Sequence, residues 1–224
     1  RKEAGVLSLS GGDMLNLPRT DRKALWKAGV SRTGDGRQER PLSMKRRREA
    51  MELRFSVLET AVQVAFFDEV ENSSELRALI VKKNPPQRVA FVDAKVVASL
   101  THVKSAAFNA VRRWRRATPV VTKNDAPKSR TLETEFIYCL SPSTGVGDAL
   151  GTFGIQDDTS QLLVVSFDDQ GPDLTVVRGT QRDVADLRGD DDLLKKTFQL
   201  SDKELALHGN LEAAILTRLA AKDC

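Results

Sequence analysis

The stretch that most constrains the fold is the apolar run at residues 161–167, Gln-Leu-Leu-Val-Val-Ser-Phe. Its valines and phenylalanine are residue types that favour β-strands. An ordinary surface strand alternates apolar and polar residues, whereas this one is almost continuously apolar. A strand of that kind is buried on both faces, so we predict that it is the central strand of a sheet.

Other segments have strand patterns that can pair with this centre. Residues 62–66 alternate in polarity, and residues 88–92 form a second short apolar run. Residues 132–140 end in Phe-Ile-Tyr-Cys-Leu, a β-rich run that Ser-Pro terminates. Residues 174–177 have a weaker strand pattern. We therefore predict strands in all four segments.

Helical patterns lie between these runs. Asn72 and Glu75 have the spacing of a capping box and open a helix that ends before Pro85. Residues 146–153 predict a short helix closed by Gly154, and Ser201 or Asp202 caps a final helical region. The clearest helix spans residues 99–117, and one face of it carries Val103, Ala107, Ala110, Val111 and Trp114. Strands and helices together predict a single α/β domain of the α+β type.

The charge distribution divides the chain of 224 residues in two. Residues 1–50 hold 13 Lys+Arg and 6 Asp+Glu, and residues 31–41 have almost no apolar content. A segment of this composition cannot offset its ordering entropy by burial. We predict that residues 1–50 are a basic, disordered and dispensable extension, and that residues 51–224 are the folded domain.

Several classes of protein and site are disfavoured. No stretch is long and apolar enough to span a bilayer, so we expect no membrane association. Cys139 and Cys224 cannot form a disulfide framework, which favours a reducing compartment, and we expect the cytoplasm and nucleus. The two histidines, His102 and His208, stand alone, and no residues have metal-ligand spacing. We predict no catalytic residue, metal or cofactor.

The glycine-rich segment from Gly145 to Gly151 is the nearest approach to a catalytic motif. It follows a predicted strand and opens a helix, as a dinucleotide-binding turn does. Its third glycine comes one position late for G-x-G-x-x-G, so a glycine-rich helix start is the favoured interpretation. A nucleotide-binding enzyme that uses this turn is the alternative function.

The long helix has a second, cationic face with an aromatic residue in it. Cations that neutralise phosphates beside a ring that stacks on a base are typical of single-stranded nucleic-acid binding. The alternative is a solvated basic face with Phe108 partly buried under a loop, and Arg130 has Glu133 or Glu135 as a possible ion-pair partner. A free-standing RNA-binding protein is therefore a further functional alternative. The candidate residues are Lys104, Phe108, Arg112, Arg115, Lys128 and Arg130.

The last helix is apolar over more than one narrow stripe, because Leu211, Ala214, Ile215, Leu216 and Leu219 cover a wide arc. One interpretation is burial on two sides, with part of the arc against the domain and part against a partner. The other is an ordinary core helix.

An ordered series of motifs resembles the TPRKB family, the PRPK-binding subunits of the KEOPS (EKC) complex. The resemblance covers residues 55–222. It rests on Lys-Ser-Arg-Thr-Leu-Glu-Thr-Glu at 128–135, the strand-like run with Ser-Pro at 136–142, Asp-Ala-Leu at 148–150, Phe-Gly-Ile at 153–155, and the segments 157–162 and 195–201.

The resemblance implies a mixed sheet of about five strands flanked by helices and no active site. It implies an accessory subunit that binds the PRPK/Bud atypical kinase and, through it, the other KEOPS subunits, in the synthesis of threonylcarbamoyladenosine in tRNA. It also implies that the basic face holds the 3′ CCA end of tRNA. The residues expected at the kinase are Leu211, Ala214, Ile215, Arg218 and Leu219.

Overall fold

A computed structural model describes residues 49–55, 60–82, 88–115, 126–168 and 171–222. The predicted extension, residues 1–50, lies outside these ranges except for Glu49 and Ala50. The strands are β1 (Met51–Phe55), β2 (Thr60–Asp68), β3 (Val89–Asp93), β4 (Leu162–Ser166) and β5 (Thr180–Arg182). The α-helices in the described ranges are α1 (Ser73–Val81), α2 (Leu100–Arg115), α3 (Leu132–Leu140), α4 (Val146–Phe153), α5 (Asp191–Thr197), α6 (Asp202–His208) and α7 (Leu211–Ala221).

The strands form one sheet in the order β1-β2-β4-β3, with β5 paired to the last residues of β2. Every pairing among these strands is antiparallel. Strand β4 lies between β2 and β3, and all five of its residues are buried. The prediction of a central strand at residues 161–167 is therefore confirmed.

The sheet has a hydrophobic core on each face. Leu163 and Val165 pack in the larger core with α2, α3, α4 and α7, whereas Leu162 and Val164 pack in a smaller core with α1. Successive residues of a strand point to opposite faces, so a strand covered on both sides has no polar alternation. The fold class, the number of strands and the flanking helices are confirmed, although two of the predicted strand segments are not strands. Within the described ranges, no helix has the length and apolarity that crossing a membrane requires.

The predicted strand at residues 132–140 is wrong, because these residues form helix α3. Thr131 caps this helix, and its Oγ1 accepts a hydrogen bond from the N–H of Thr134 at 3.2 Å. Seven of the nine residues are buried, including Phe136, Tyr138 and Cys139. A helix covered on nearly all sides has no polar face, so its sequence looks like a buried strand.

The weaker strand prediction at residues 174–177 is also wrong. Leu174–Val176 is a short 3₁₀ turn, and the carboxylate of Asp173 accepts a hydrogen bond from the N–H of Thr175 at 3.0 Å. Leu174 and Val177 are buried in the smaller core. The apolar residues of this segment serve to cover the sheet rather than to extend it.

Candidate functional site

The basic candidates on α2 share one side of the helix. Lys104, Phe108, Arg112 and Arg115 follow at helical spacing, with Lys104 and Arg115 exposed and the other two half-buried. The opposite side is buried through Val103, Ala106, Ala107, Ala110 and Val111. The helix thus separates a core face from a cationic face.

Phe108 has a packing partner within the domain. Its ring centroid lies 6.1 Å from that of Phe55 on β1, with the ring planes inclined at 58°. This spacing is that of a favourable aromatic pair. The ring of Phe108 therefore packs against the domain. This is close to the alternative interpretation of the cationic face, except that a strand rather than a loop lies against the ring.

Lys128 and Arg130 lie in the loop at residues 126–131, which precedes α3, and both are exposed. Glu135 on the first turns of α3 binds this loop. Its Oε2 accepts hydrogen bonds from the N–H groups of Lys128 and Ser129 and from the Ser129 hydroxyl, each at 2.9 Å. The loop is therefore fastened to α3 at its beginning as well as at the Thr131 cap.

The same carboxylate connects the loop to α2. Oε1 of Glu135 lies 3.5 Å from Nη1 of Arg113, and the side chains of the pair are 0% and 4% exposed. Glu133, the other acid considered as a partner of Arg130, binds Arg88 at 3.1 Å. Sequence reasoning missed the Arg113–Glu135 pair, although both residues lie within segments that it had singled out.

The five residues expected at the kinase do not share one environment. Ala214 and Ile215 are both fully buried, Ile215 in the larger core, so no partner can contact them directly. Leu211 and Leu219 are half-buried at the edge of that core. Arg218 is exposed and binds Oε1 of Glu204 on α6 at 2.7 Å. Of the expected set, three residues remain available at the surface.

Leu207 on α6 was not predicted. It is 80% exposed, more than any other large hydrophobic residue in the described ranges, and α6 itself buries no residue. The helix is nevertheless well defined. Ser201 and Glu204 form a capping box, and Gly209 ends the helix in the left-handed conformation with φ 77°. A single exposed leucine is common on protein surfaces, so Leu207 alone does not identify an interaction surface.

Helix α7 is fastened at both ends. At its start, Oδ1 of Asn210 accepts the N–H of Ala213 at 2.8 Å, and the hydroxyl of Ser99 donates to Glu212 at 2.5 Å. Beyond its last turn, Nζ of Lys222 donates to the carbonyls of Tyr138 and Ser141 at 2.6 and 2.9 Å. Burial lowers the pKa of Lys222 to about 8. These contacts fix α7 against α2 and α3.

A cavity of about 410 Å³ lies where α7 begins, and its walls carry charges of both signs. Hydrogen bonds from Ser99 and Thr101 lower the pKa of Glu212 in its wall. The lining also includes Arg188, Asp191, Asn210 and Leu211. The cavity therefore reaches Leu211, the first residue of α7.

The glycine-rich segment lacks the setting of a dinucleotide-binding turn. It follows helix α3 rather than a strand, which removes the strand–turn–helix arrangement that the motif requires. A Cβ at Gly145 would lie 2.6 Å from Oδ2 of Asp148, so a carboxylate occupies the start of α4. That carboxylate lies where the phosphate of a nucleotide would bind.

His102 and Cys139 have environments suited to packing. His102 is fully buried, its Nε2 lies 3.0 Å from the Leu140 carbonyl, and its Nδ1 accepts the N–H of Ala98 at 3.3 Å. Desolvation lowers the pKa of His102 to about 4 and raises that of Cys139 to about 12. Both side chains therefore stay uncharged at neutral pH. The described ranges contain no group of three or more His, Cys, Asp or Glu placed to hold a metal ion.

Comparison with known proteins shows which sequences this chain resembles. The chain is similar to the EKC/KEOPS complex subunit CGI121 of Yarrowia lipolytica, with 28% identity over 152 residues, or 66% of this chain and 85% of that protein. It is 36% identical to the corresponding subunit of Aspergillus fumigatus over 114 residues, or 51% of this chain and 56% of that protein. With the subunit of Kluyveromyces lactis it shares 33% identity over 109 residues, or 49% of this chain and 62% of that protein. For the last two, less than two thirds of the relative's length is matched.

A family-level comparison covers more of the chain. The profile of the family described as kinase binding protein CGI-121 matches residues 67–223. This range includes α2, the loop at residues 126–131, and the C-terminal helices α6 and α7. It confirms the resemblance drawn from the motifs between residues 128 and 201. The chain belongs to the CGI-121 family of kinase-binding proteins.

Proposed function

We propose that this chain is a non-catalytic accessory subunit of an EKC/KEOPS complex. In this role it binds and regulates the PRPK/Bud atypical kinase and holds the 3′ CCA end of tRNA during threonylcarbamoyladenosine synthesis. The observation that carries the proposal is the family match over residues 67–223. The names of the fungal relatives, all EKC/KEOPS subunits, support the assembly in which the chain works.

The kinase-binding surface that we propose is the outer side of the α6–α7 hairpin, with Leu207, Leu211, Arg218 and Leu219. Leu207 supplies exposed apolar area, and Arg218 supplies a guanidinium already oriented by Glu204. Arginine is enriched among the residues that contribute most to binding energy, and the buried centre of an interface is more apolar than its rim. Ala214 and Ile215 support this surface from the core.

The tRNA-binding surface that we propose is the cationic face of α2 together with the adjoining loop, through Lys104, Arg112, Arg115, Lys128 and Arg130. Lysine and arginine bind a single strand mainly through its phosphates, so the affinity should fall steeply with salt. Phe108 contacts Phe55 and is half-buried, so we assign it to packing within the domain rather than to base stacking.

Binding of the kinase is tested by a matched pair of charge insertions. Leu207→Glu places a carboxylate in the proposed interface and should abolish co-purification with the kinase. Val81→Glu is the control, because Val81 is 72% exposed on α1, which covers the opposite face of the sheet. Equal kinase binding by wild type and a folded Leu207→Glu variant would reject this surface. No kinase binding by the wild-type chain, with tRNA binding retained, would favour a free-standing RNA-binding protein.

Binding of tRNA is tested through its salt dependence. Reversing Arg112 and Arg115 to Glu should flatten the slope of log K against log salt by about one to two units, at about 0.7 per phosphate contact. Lys82→Glu, at the exposed end of α1, is the matched control and should leave the slope unchanged. Equal affinity for intact tRNA and tRNA without its CCA end would reject the CCA-holding role.

The nucleotide-binding alternative has its own test. Titration of the chain with NAD, FAD or ATP should give no saturable binding in the micromolar range. Saturable binding that Gly145→Ala removes would restore the glycine-rich turn as a functional site.

A further inference from the structure

We infer that Glu135 is a positioning residue that sets where the cations of the loop at residues 126–131 lie relative to those of α2. The inference rests on the proposed tRNA-binding function, in which Lys128 and Arg130 continue the cationic face of Arg112 and Arg115. It concerns a buried carboxylate that never touches the RNA. Glu135 acts through the residues that it holds.

The two oxygens of the Glu135 carboxylate contact different parts of the protein. Oε2 accepts the consecutive N–H groups of Lys128 and Ser129 as well as the Ser129 hydroxyl, all at 2.9 Å. Consecutive backbone N–H groups that converge on one oxygen form an anion-binding nest, and here the anion belongs to the protein itself. Oε1 faces Arg113 at 3.5 Å. One side chain thus joins the loop to the last turns of α2.

Arg113 lies between the proposed phosphate-binding residues of α2. Arg112 precedes it, and Arg115 follows two positions later. A path from the backbone of Lys128 to the helix segment that carries both arginines therefore runs through this buried carboxylate. Both partners of the ion pair are almost completely removed from solvent, so removal of either would leave an uncompensated buried charge.

This arrangement exceeds what the start of α3 requires. The Thr131 side chain already caps the helix through the N–H of Thr134. Glu135 reaches further back, to residues that precede the cap by two and three positions. A loop held in place before RNA arrives loses less conformational entropy on binding, so its cations contribute more to affinity.

The test is a double-mutant cycle on the full chain, with tRNA affinity measured across a range of salt concentrations. One arm is Glu135→Gln, and the other is the pair Lys128→Ala and Arg130→Ala. We expect each arm alone to weaken binding about 3- to 10-fold and to lower the salt slope by up to about 1.4. Combined, they should weaken binding no further than the stronger arm, because Glu135 acts through the two cations.

Two further variants separate positioning from stability. Ser129→Ala removes one donor to Glu135 and leaves the ion pair with Arg113 intact, so it serves if Glu135→Gln does not fold. It should lower the salt slope in the same direction but by less. Asn210→Ala removes the cap of α7 and is the matched control, because it destabilises the fold without touching the loop. Its salt slope should equal that of the wild type.

The outcomes are distinct. If the lysine–arginine pair weakens binding but folded Glu135→Gln and Ser129→Ala bind with the wild-type affinity and slope, the positioning role is overturned while the tRNA surface stands. Independent, additive losses from the two arms would likewise overturn it. If removal of Lys128 and Arg130 has no effect, both the inference and this part of the proposed tRNA surface fall.

Discussion

Ile215 and Leu207 lie on adjacent C-terminal helices. Substituting each of them to alanine separates effects on the stability of the fold from effects on kinase binding. Ile215 is 0% exposed and Leu207 is 80% exposed. Ile215→Ala removes three carbon atoms from a closed core, at about 0.8 kcal/mol each plus the cost of the cavity, so we expect a loss of about 2–5 kcal/mol in the free energy of unfolding. Leu207→Ala removes a side chain that is mostly in water, so the loss should stay within about 0.5 kcal/mol.

The order of effects should reverse for binding of the kinase. Loss of an apolar side chain at the centre of an interface costs about 2 kcal/mol, so Leu207→Ala should raise the Kd for the kinase about 30-fold. Ile215→Ala should keep the wild-type Kd at a temperature where the variant is fully folded.

Urea denaturation gives the stabilities, and titration calorimetry with the purified kinase gives the affinities. A folded Ile215→Ala variant that loses the kinase, beside a Leu207→Ala variant that binds normally, would refute the assignment of these residues. An unchanged stability of Ile215→Ala would contradict its place in the core.

Three further predictions follow from the environments of single side chains. The pKa of His102 is about 4 in the folded state and 6.5 in the unfolded chain, so the unfolded state takes up a proton as pH falls from 6.5 to 4. The free energy of unfolding should fall over that range by up to about 1.4 kcal/mol per pH unit. Urea denaturation measures this free energy, and parallel plots of it against pH for wild type and His102→Gln would contradict the prediction. Thr131→Ala should lower stability by about 1 kcal/mol through loss of the α3 cap, whereas Thr131→Ser should change it little; a similar loss in both would show that the hydroxyl is not what matters. Burial and a pKa raised to about 12 should protect Cys139 from maleimide at pH 8 in a Cys224→Ser variant, with rapid labelling only after unfolding; fast labelling of the native protein would place the thiol at the surface.

The sequence predicted helix α2 and strand β4 from different signals. Helix α2 was found within two residues of its described bounds because its core face and cationic face differ sharply. Strand β4 was recognised because its run is short and almost continuously apolar and contains valines, which favour strands. Helix α3 has a similar apolar run, but it is buried on nearly all sides, so its periodicity carries no information. The Thr131 cap and the acidic residues Glu133 and Glu135 in the first turn were the local indications of a helix.

For the candidate surfaces, too, some residues could be placed from the sequence and others could not. The positions of Lys104, Arg112 and Arg115 on one side of α2 followed from helical spacing alone. For α7, the spacing of Leu211, Ile215 and Leu219 shows an apolar stripe but not what covers it, and the structure places Ile215 inside the domain. Leu207 could not be found because α6 also holds Leu205, and the sequence does not show which leucine is exposed.

The contacts of Lys222 fix the last turn of α7 to the end of α3. Helix ends commonly fray, and a frayed turn exchanges its amide hydrogens rapidly. Here the lysine ammonium binds the Tyr138 and Ser141 carbonyls at the end of α3 and lies 3.3 Å from the centre of the Tyr138 ring. Amide hydrogens in the last turn of α7 should therefore exchange slowly in the native protein. Lys222→Ala should open α7 from this end and speed up that exchange.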